Sequence, residues 1–218
     1  MMSSSRLLIS TAYFPPIQYF VLIGKYKDVL IEKQENYNKQ SYRNRCNIKS
    51  ANGVLPLVIP VKKNKGLKTV ISDIKTDNSY NWQRIHRISI ESAYRSAPFY
   101  EYYIDEIMPF FESRYDYLLD LNTAILEKML EILRIRANLG FTDKYQPAPP
   151  PQILDIRNNI HPKIKYTNTK IFKDDLPYTQ VFNEISGFIP GLSIIDLIFN
   201  TGPDAETIIC ESYTCINY

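Results

Sequence analysis

Glycine is scarce in this chain of 218 residues: the seven stand at positions 24, 53, 66, 140, 187, 191 and 202, and no two are separated by a single residue. A G-x-G-x-x-G turn or a P-loop brings backbone N–H groups against phosphate through closely spaced glycines, so neither can be drawn here. Any bound phosphate has to be held by side chains or by a helix N-terminus. Gly191-Leu192-Ser193 runs on into Ile194-Ile195, which excludes the nucleophile elbow G-x-S-x-G. Cysteine is equally sparse. Cys46, Cys210 and Cys215 form an odd set without C-x-x-C, which argues against a disulfide framework or a zinc site and for free thiols. No metal or cofactor is expected.

Charge of one sign is also missing. Lys and Arg number 26 against 23 Asp and Glu, a formal net charge of +3, which lacks the excess that nucleic-acid binding needs. The longest apolar runs, such as Phe20-Val21-Leu22-Ile23 and Leu197-Ile198-Phe199, fall far short of the ~20 residues of a membrane span. Leu7-Leu8-Ile9 is too short for the ~7–15-residue apolar segment of a secretory signal. The expectation is a cytoplasmic protein with no membrane span.

What is present is a 44% hydrophobic chain with 17 tyrosines, long enough for one domain over residues 1–218 with a proper core. Residues 6–11 read as a strand, Pro15-Pro16 breaks it and opens a helix over 17–26, and Asp28 to Glu32 reads as a second strand, a βαβ start. Segments at 41–48 and 54–61 flank Asn52-Gly53 as a hairpin, with Pro56 and Pro60 consigning its second strand to an edge. Between 79 and 136 the period turns helical. One helix sets Trp82, His86, Ser89, Ala93 and Ala97 against Arg84, Arg87, Glu91 and Arg95; a second is expected over 99–115; a third repeats Leu118, Leu121, Asn122, Ile125, Leu126, Met129 and Leu133. Residues 146–177, opening on Pro147-Ala148-Pro149-Pro150-Pro151, read as a Pro-rich polar arm. A helix follows at 192–200, and a last strand is expected at 206–211. The fold class is α/β: a small mixed sheet with a β-hairpin, packed against about three long helices.

Several side chains invite chemistry. If 42–45 is a strand, Arg43 and Arg45 share a face about 7 Å apart and suit a phosphate or carboxylate, while Tyr42 and Asn44 share the other; a solvated face with an ion pair is the alternative. His86 sits on the apolar stripe of its helix, where it serves either as a general base near neutrality or as a satisfied core histidine. Ser193, Asp196 and Asn200 share one face of an apolar helix, and Asp196 there needs a donor or cation, with Arg43 and Arg45 as candidates. It is either a structural ion pair or a carboxylate facing substrate. Glu32 ends the second strand, where ligands of open α/β sheets bind. Cys46 beside Arg45 is either a lowered thiolate or a small buried thiol. Tyr94, with Tyr100, Tyr102 and Tyr103, could stack a sugar or base, or sit half-buried at an amphipathic boundary.

The stretch Ala12-Tyr13-Phe14-Pro15-Pro16-Ile17-Gln18-Tyr19-Phe20, the block Tyr42-Arg43-Asn44-Arg45 with Ala51-Asn52-Gly53 and Ile59-Pro60-Val61, Trp82 to His86 with Ser92-Ala93-Tyr94 and Ala97-Pro98-Phe99, and Leu192 to Asn200 with Gly202 together resemble the WbqC-like family, in the branch of Bacteroides-type bacteria. The arm at 146–177 stands in place of a longer family segment. The resemblance implies a role in surface-polysaccharide assembly of the O-antigen type, as a transferase moving an aminoacyl (glycyl) or acyl group to a sugar. The partners would then be a nucleotide- or lipid-linked sugar and an activated amino-acid or acyl donor. In that reading Arg43 and Arg45 hold a phosphate or carboxylate, His86 is general base, Asp196 and Asn44 orient the substrate, and Tyr13, Glu32, Tyr42, Tyr94 and Asn200 complete the binding set. A non-catalytic carbohydrate-binding or assembly protein is the alternative.

Overall fold

The computed structural model describes residues 6–62, 68–164 and 177–215. Strand β1 (Arg6–Ser10) buries Leu7, Leu8 and Ile9 in succession, as expected of a strand covered on both faces. The two prolines end it, and helix α1 (Ile17–Tyr26) follows with every residue from Ile17 to Gly24 buried. A helix apolar all round belongs inside a protein, and α1 does. Strand β2 (Asp28–Glu32) then returns parallel to β1, from Leu7 opposite Val29 to Ser10 opposite Glu32. The βαβ start is as the sequence predicts.

The hairpin forms, but it is shorter and begins later than the pattern suggests. Tyr42–Asn44 is a 3-10 turn, capped by Ser41, and strand β3 (Arg45–Ser50) starts only after it. Strand β4 (Gly53–Val58) pairs antiparallel with β3, with Ser50 opposite Gly53 and Arg45 opposite Val58. Ala51 and Asn52 make the turn at negative φ, and Gly53 alone enters the left-handed region at φ 98°, the conformation that a side chain resists. Pro56 lies in β4, which among the described residues pairs with no strand but β3.

Helix α2 (Trp82–Tyr94) buries Trp82, His86, Ile90, Ala93 and Tyr94, while Arg84, Arg87 and Arg95 are exposed. The expected helix over 99–115 is instead α3 (Tyr100–Ile107) and α4 (Pro109–Glu112). Pro109 has no N–H to donate to the preceding turn, which divides the two. Helix α5 (Leu118–Ile132) matches the predicted repeat and buries Leu118, Leu121, Asn122, Ile125, Leu126 and Met129.

Two short strands went unread in the sequence. Strand β5 (Asn138–Phe141) joins β2, and β6 (Ile153–Asp155), inside the Pro-rich arm, joins the other side of β1. The resulting four-stranded sheet has the order β5-β2-β1-β6 and is parallel throughout, so the antiparallel pairing of this α/β fold resides in the separate hairpin. The arm is thus anchored by Leu154, Ile156 and Ile160, all buried; its residues 165–176 lie outside those described. Helices α6 (Asn183–Ser186), α7 (Ile194–Thr201) and α8 (Asp204–Glu211) follow, with a 3-10 turn at Ser212–Cys215 after them. The strand expected at 206–211 is therefore the helix α8. Acidic Asp204 and Glu206 favour its first turn, and Ala205 and Ile209, four residues apart, form its buried stripe.

Helix α1 touches β1 and β2 as well as α7 and α8. Closeness there is tight enough that a Cβ on Gly24 would overlap the Tyr213 ring. One continuous apolar cluster runs from Leu7 to Ile209. Among the described residues no helix is long and apolar enough to cross a membrane.

Candidate functional site

The carboxyl end of the hairpin's return strand and the loops beside it enclose a cleft of about 950 Å³, within the size range of small-ligand sites. Two backbone pairings make its sides. Tyr37 N–H donates to the Thr69 carbonyl at 2.9 Å, and Asp77 N–H to the Pro60 carbonyl at 2.8 Å, with Val61 bridged to Thr76. The floor is Asn44 and Arg45 against Val58 and Ile59. Ile59 N–H donates to the Asn44 carbonyl at 2.8 Å, and Asn44 Nδ2 donates back to the Ile59 carbonyl at 2.8 Å. Among the described residues Lys39, Arg45, Lys62 and Lys68 line the cleft against a single carboxylate, Asp77. Tyr37 and Tyr80 supply aromatic surface; burial pushes the Tyr37 phenol up to about 12, with the Arg45 charge pulling against it. Asn44 Oδ1 and Arg45 Nε are enclosed and have no hydrogen-bond partner among the described residues, which costs about 1–3 kcal/mol each. Another hollow, about 670 Å³ with Lys27, Arg136, Glu127 and Glu131 around it, lies at the amino ends of β2 and β5, opposite the end where α/β sheets bind ligands.

The two arginines part company. Because Tyr42–Asn44 is a 3-10 turn and not strand, Arg43 and Arg45 do not share a face, which corrects the expected pair. Arg43 points into the protein and spends its fork on Glu35, Nε to Oε1 at 2.7 Å and Nη2 to Oε2 at 2.6 Å, with Nη2 also on Ser10 Oγ at 2.6 Å. Tyr42 is buried beside it, its phenol pushed up to about 12 by desolvation. At the carboxyl ends of β1, β2 and β6 a second buried arginine, Arg157, bonds Glu32 Oε2 at 3.0 Å and Asp155 Oδ2 at 2.6 Å. Glu32 Oε1 accepts from Thr142 Oγ1 at 2.6 Å and from Gln34 N–H at 2.8 Å. Glu32 thus stands at the end of the strand as expected, with its oxygens engaged inside the protein.

His86 lies among Trp82, Tyr13 and Phe111. Tyr13 Oη bonds Nδ1 at 2.9 Å, and the other ring nitrogen donates to the Val58 backbone. Both nitrogens are engaged on the far side of the strand that walls the cleft. Burial pushes the imidazole down to about 4. The unfolded chain then binds a proton below about pH 6.5 that the folded one refuses until about pH 4, so stability rises with pH across that window. The loss on acidification from pH 7 to 4 is expected to reach about 3 kcal/mol from this ring alone. Urea midpoints measured at both pH values check it, and His86→Gln should flatten the dependence; an unchanged slope in that variant rejects the assignment.

Asp196 meets neither arginine. Its carboxylate is 0% exposed and accepts from Tyr94 Oη at 2.7 Å, Tyr178 Oη at 2.6 Å and Gln180 Nε2 at 3.1 Å. Burial raises its pKa despite those three bonds. The nearby cation is Lys49, itself buried, whose Nζ donates to Gln180 Oε1 at 3.2 Å and to the Gly187 carbonyl. Asn200 accepts from Val181 N–H at 2.9 Å and donates to the Asp196 carbonyl at 2.7 Å. Tyr94 stands eight residues beyond His86 on α2, about 12 Å along the axis. The hollow expected to gather Arg43, Arg45, His86 and Asp196 is therefore absent: Arg45 and Asn44 line the cleft, and the other three sit in separate enclosed clusters. Cys46 is buried and its thiol pushed up by desolvation, which gives the small inert thiol; Cys210 is exposed, and the Cys215 side chain lies outside those described.

Sequence reasoning missed Tyr37, Lys39, Lys62, Lys68, Asp77 and Tyr80. The lysine density around 62–68 is a signal in the sequence, but nothing local shows that Lys62 and Lys68 stand beside Arg45. Fold and site together define an α/β protein with a cationic cleft built on a hairpin. The chain belongs to the WbqC-like protein family, matching it over residues 11–168, a stretch that includes every cleft residue and ends before α7. It is 25% identical over 222 residues to the uncharacterized protein Rv1507c of Mycobacterium tuberculosis, covering 91% of this chain and 94% of that one. No solved structure matches it.

Proposed function

We propose that the cleft binds a phosphate-linked sugar and that the protein is a transferase in bacterial surface-polysaccharide assembly, passing an aminoacyl or acyl group to that sugar. The observation that carries this reading is a ligand-sized cleft where, among the described residues, Arg45 and three lysines stand against one carboxylate. Arg recognises phosphate oxygens bidentately, and the lysines add point charges around it. In the transfer, an amine or hydroxyl of the sugar attacks the carbonyl of an activated ester or thioester. A C–N or C–O bond forms, the donor's C–O or C–S bond breaks, and the alcohol or thiol leaves with the proton. One observation favours the second reading, a non-catalytic carbohydrate-binding or assembly protein: His86 and Asp196 are enclosed away from the cleft.

Calorimetric titration with a nucleotide-sugar tests the binding claim. Arg45→Ala and Lys62→Ala are each expected to weaken binding at least about tenfold with melting temperature held, and added salt to weaken it in the wild type. Equal affinity in both variants rejects the anion site. Thermal stabilisation by an activated acyl donor as well as the sugar supports transfer, and stabilisation by glycan alone supports the binding protein.

A further inference from the structure

Asp77 is at odds with the rest of the cleft. Among the described residues it is the one carboxylate beside Arg45 and the lysines, and it opposes the phosphate that they attract. A pocket for bare phosphate binds better without it. The turn that carries Asp77 is pinned beyond the end of β4, where its N–H donates to the Pro60 carbonyl at 2.8 Å. Ser79 N–H at 3.2 Å and Ser79 Oγ at 2.6 Å both donate to Asp77 Oδ1, and Oδ2 accepts from none of the described residues. Those Ser79 bonds, with the Lys62 charge added, hold the carboxyl below its usual range, so it is ionised at neutral pH. Tyr80 closes the same turn, its N–H on the Asp77 carbonyl at 3.5 Å, and lines the cleft 62% exposed. Neither side chain is buried, so a ligand in the cleft reaches both. An ionised carboxylate accepts from hydroxyls, and a phenol ring offers a flat apolar surface. Together they answer the uncharged half of a sugar phosphate.

Resting on the phosphate-linked-sugar reading above, we infer that Asp77 and Tyr80 form the sugar subsite of the cleft, with Asp77 setting its specificity. Asp77 Oδ2 accepts from hydroxyls of the sugar, the Tyr80 ring packs on its C–H face, and Arg45 with the lysines holds the phosphate. The carboxylate selects in both directions: it rewards a ligand that brings hydroxyls beside its phosphate and repels one that brings charge alone. The substrate class is then a glycosyl phosphate with free hydroxyls.

The test is calorimetry at low salt with inorganic phosphate, glucose 1-phosphate and 2,3,4,6-tetra-O-methylglucose 1-phosphate. Glucose 1-phosphate is expected to bind about tenfold tighter than inorganic phosphate, and the methylated sugar to lose that gain. Asp77→Ala should move the two ligands in opposite directions, inorganic phosphate about two- to threefold tighter and glucose 1-phosphate weaker. A carboxylate that only caps its own turn would leave the ratio of the two affinities unchanged. Tyr80→Ala should weaken glucose 1-phosphate several-fold and leave inorganic phosphate as it is. Should Asp77→Ala lose melting temperature, Asp77→Asn, which keeps an oxygen for Ser79 and removes the charge, carries the same comparison. Phosphate binding without discrimination in the wild type, or discrimination persisting in the Asp77 variant, overturns the sugar subsite and leaves the cleft reading standing. Failure of all three phosphates to bind overturns both.

Discussion

Arg43→Ala is expected to cost about 3–5 kcal/mol of stability, while Arg45→Ala, two residues on, stays within about 0.5 kcal/mol. Sequence spacing treats the two as equals; geometry does not. Removing the Arg43 guanidinium leaves the Glu35 carboxylate, 7% exposed, buried without its countercharge, and takes the donor from Ser10 Oγ. That is a large share of the about 5–15 kcal/mol that holds a typical domain together. Urea unfolding of the two single variants reads the contrast directly. The double variant Arg43→Met with Glu35→Leu should regain most of the loss, because a buried ion pair replaced as a unit by apolar groups leaves no orphan charge. A loss below about 1 kcal/mol in Arg43→Ala means that water reaches Glu35 and the pair is not sealed.

Asp196→Ala is expected to be comparably damaging, about 3–5 kcal/mol, and to act at a distance from the cleft. Two phenol hydroxyls and the Gln180 amide lose their acceptor, and buried Lys49 loses its nearby negative charge. Residues 177–191 hold no buried apolar side chain; their only buried residue is Gln180, and their described ties to the body include Tyr178, Gln180, Val181 N–H on Asn200 and the Gly187 carbonyl on Lys49. Hydrogen exchange should therefore rise over this stretch before it rises in β1 or α1. Asp196→Asn, which keeps an acceptor, should lose less. The pH dependence runs opposite to that of His86. Burial raises the Asp196 pKa, so the folded state holds a proton that the unfolded chain has released, and this carboxyl's contribution falls as pH rises through the interval. If exchange over 177–191 is the same in wild type and Asp196→Ala, the carboxylate is not what secures that stretch.

Secondary structure was legible in the sequence where the pattern is local and long. The apolar run of β1, the break at Pro15-Pro16 and the apolar helix after it identify β1-α1-β2 without any distant contact. The i, i+3, i+4 repeat of α5 and the Asn-Gly turn of the hairpin do the same for those elements. Failures fall where the local signal is short: β5 has four residues and β6 three, too few to show a period, and each exists because β2 or β1 offers an open edge. The helix α8 was misread because five or six residues with scattered apolar positions fit either period.

Side-chain roles divide the same way. That His86 lies on a buried stripe, and that Asp196 must find a donor, follow from helical spacing and the cost of burying charge, and the chain alone determined both. Which donor Asp196 finds, Tyr94 across 102 residues, was decided only in three dimensions. So was the fate of Arg43, turned inward by one 3-10 turn, and of Arg45, left facing lysines from segments on both sides of the hairpin. Periodicity states which side of an element is covered, whereas the partner that covers it depends on how remote segments close against one another, and that closure is set by the packing of the whole chain.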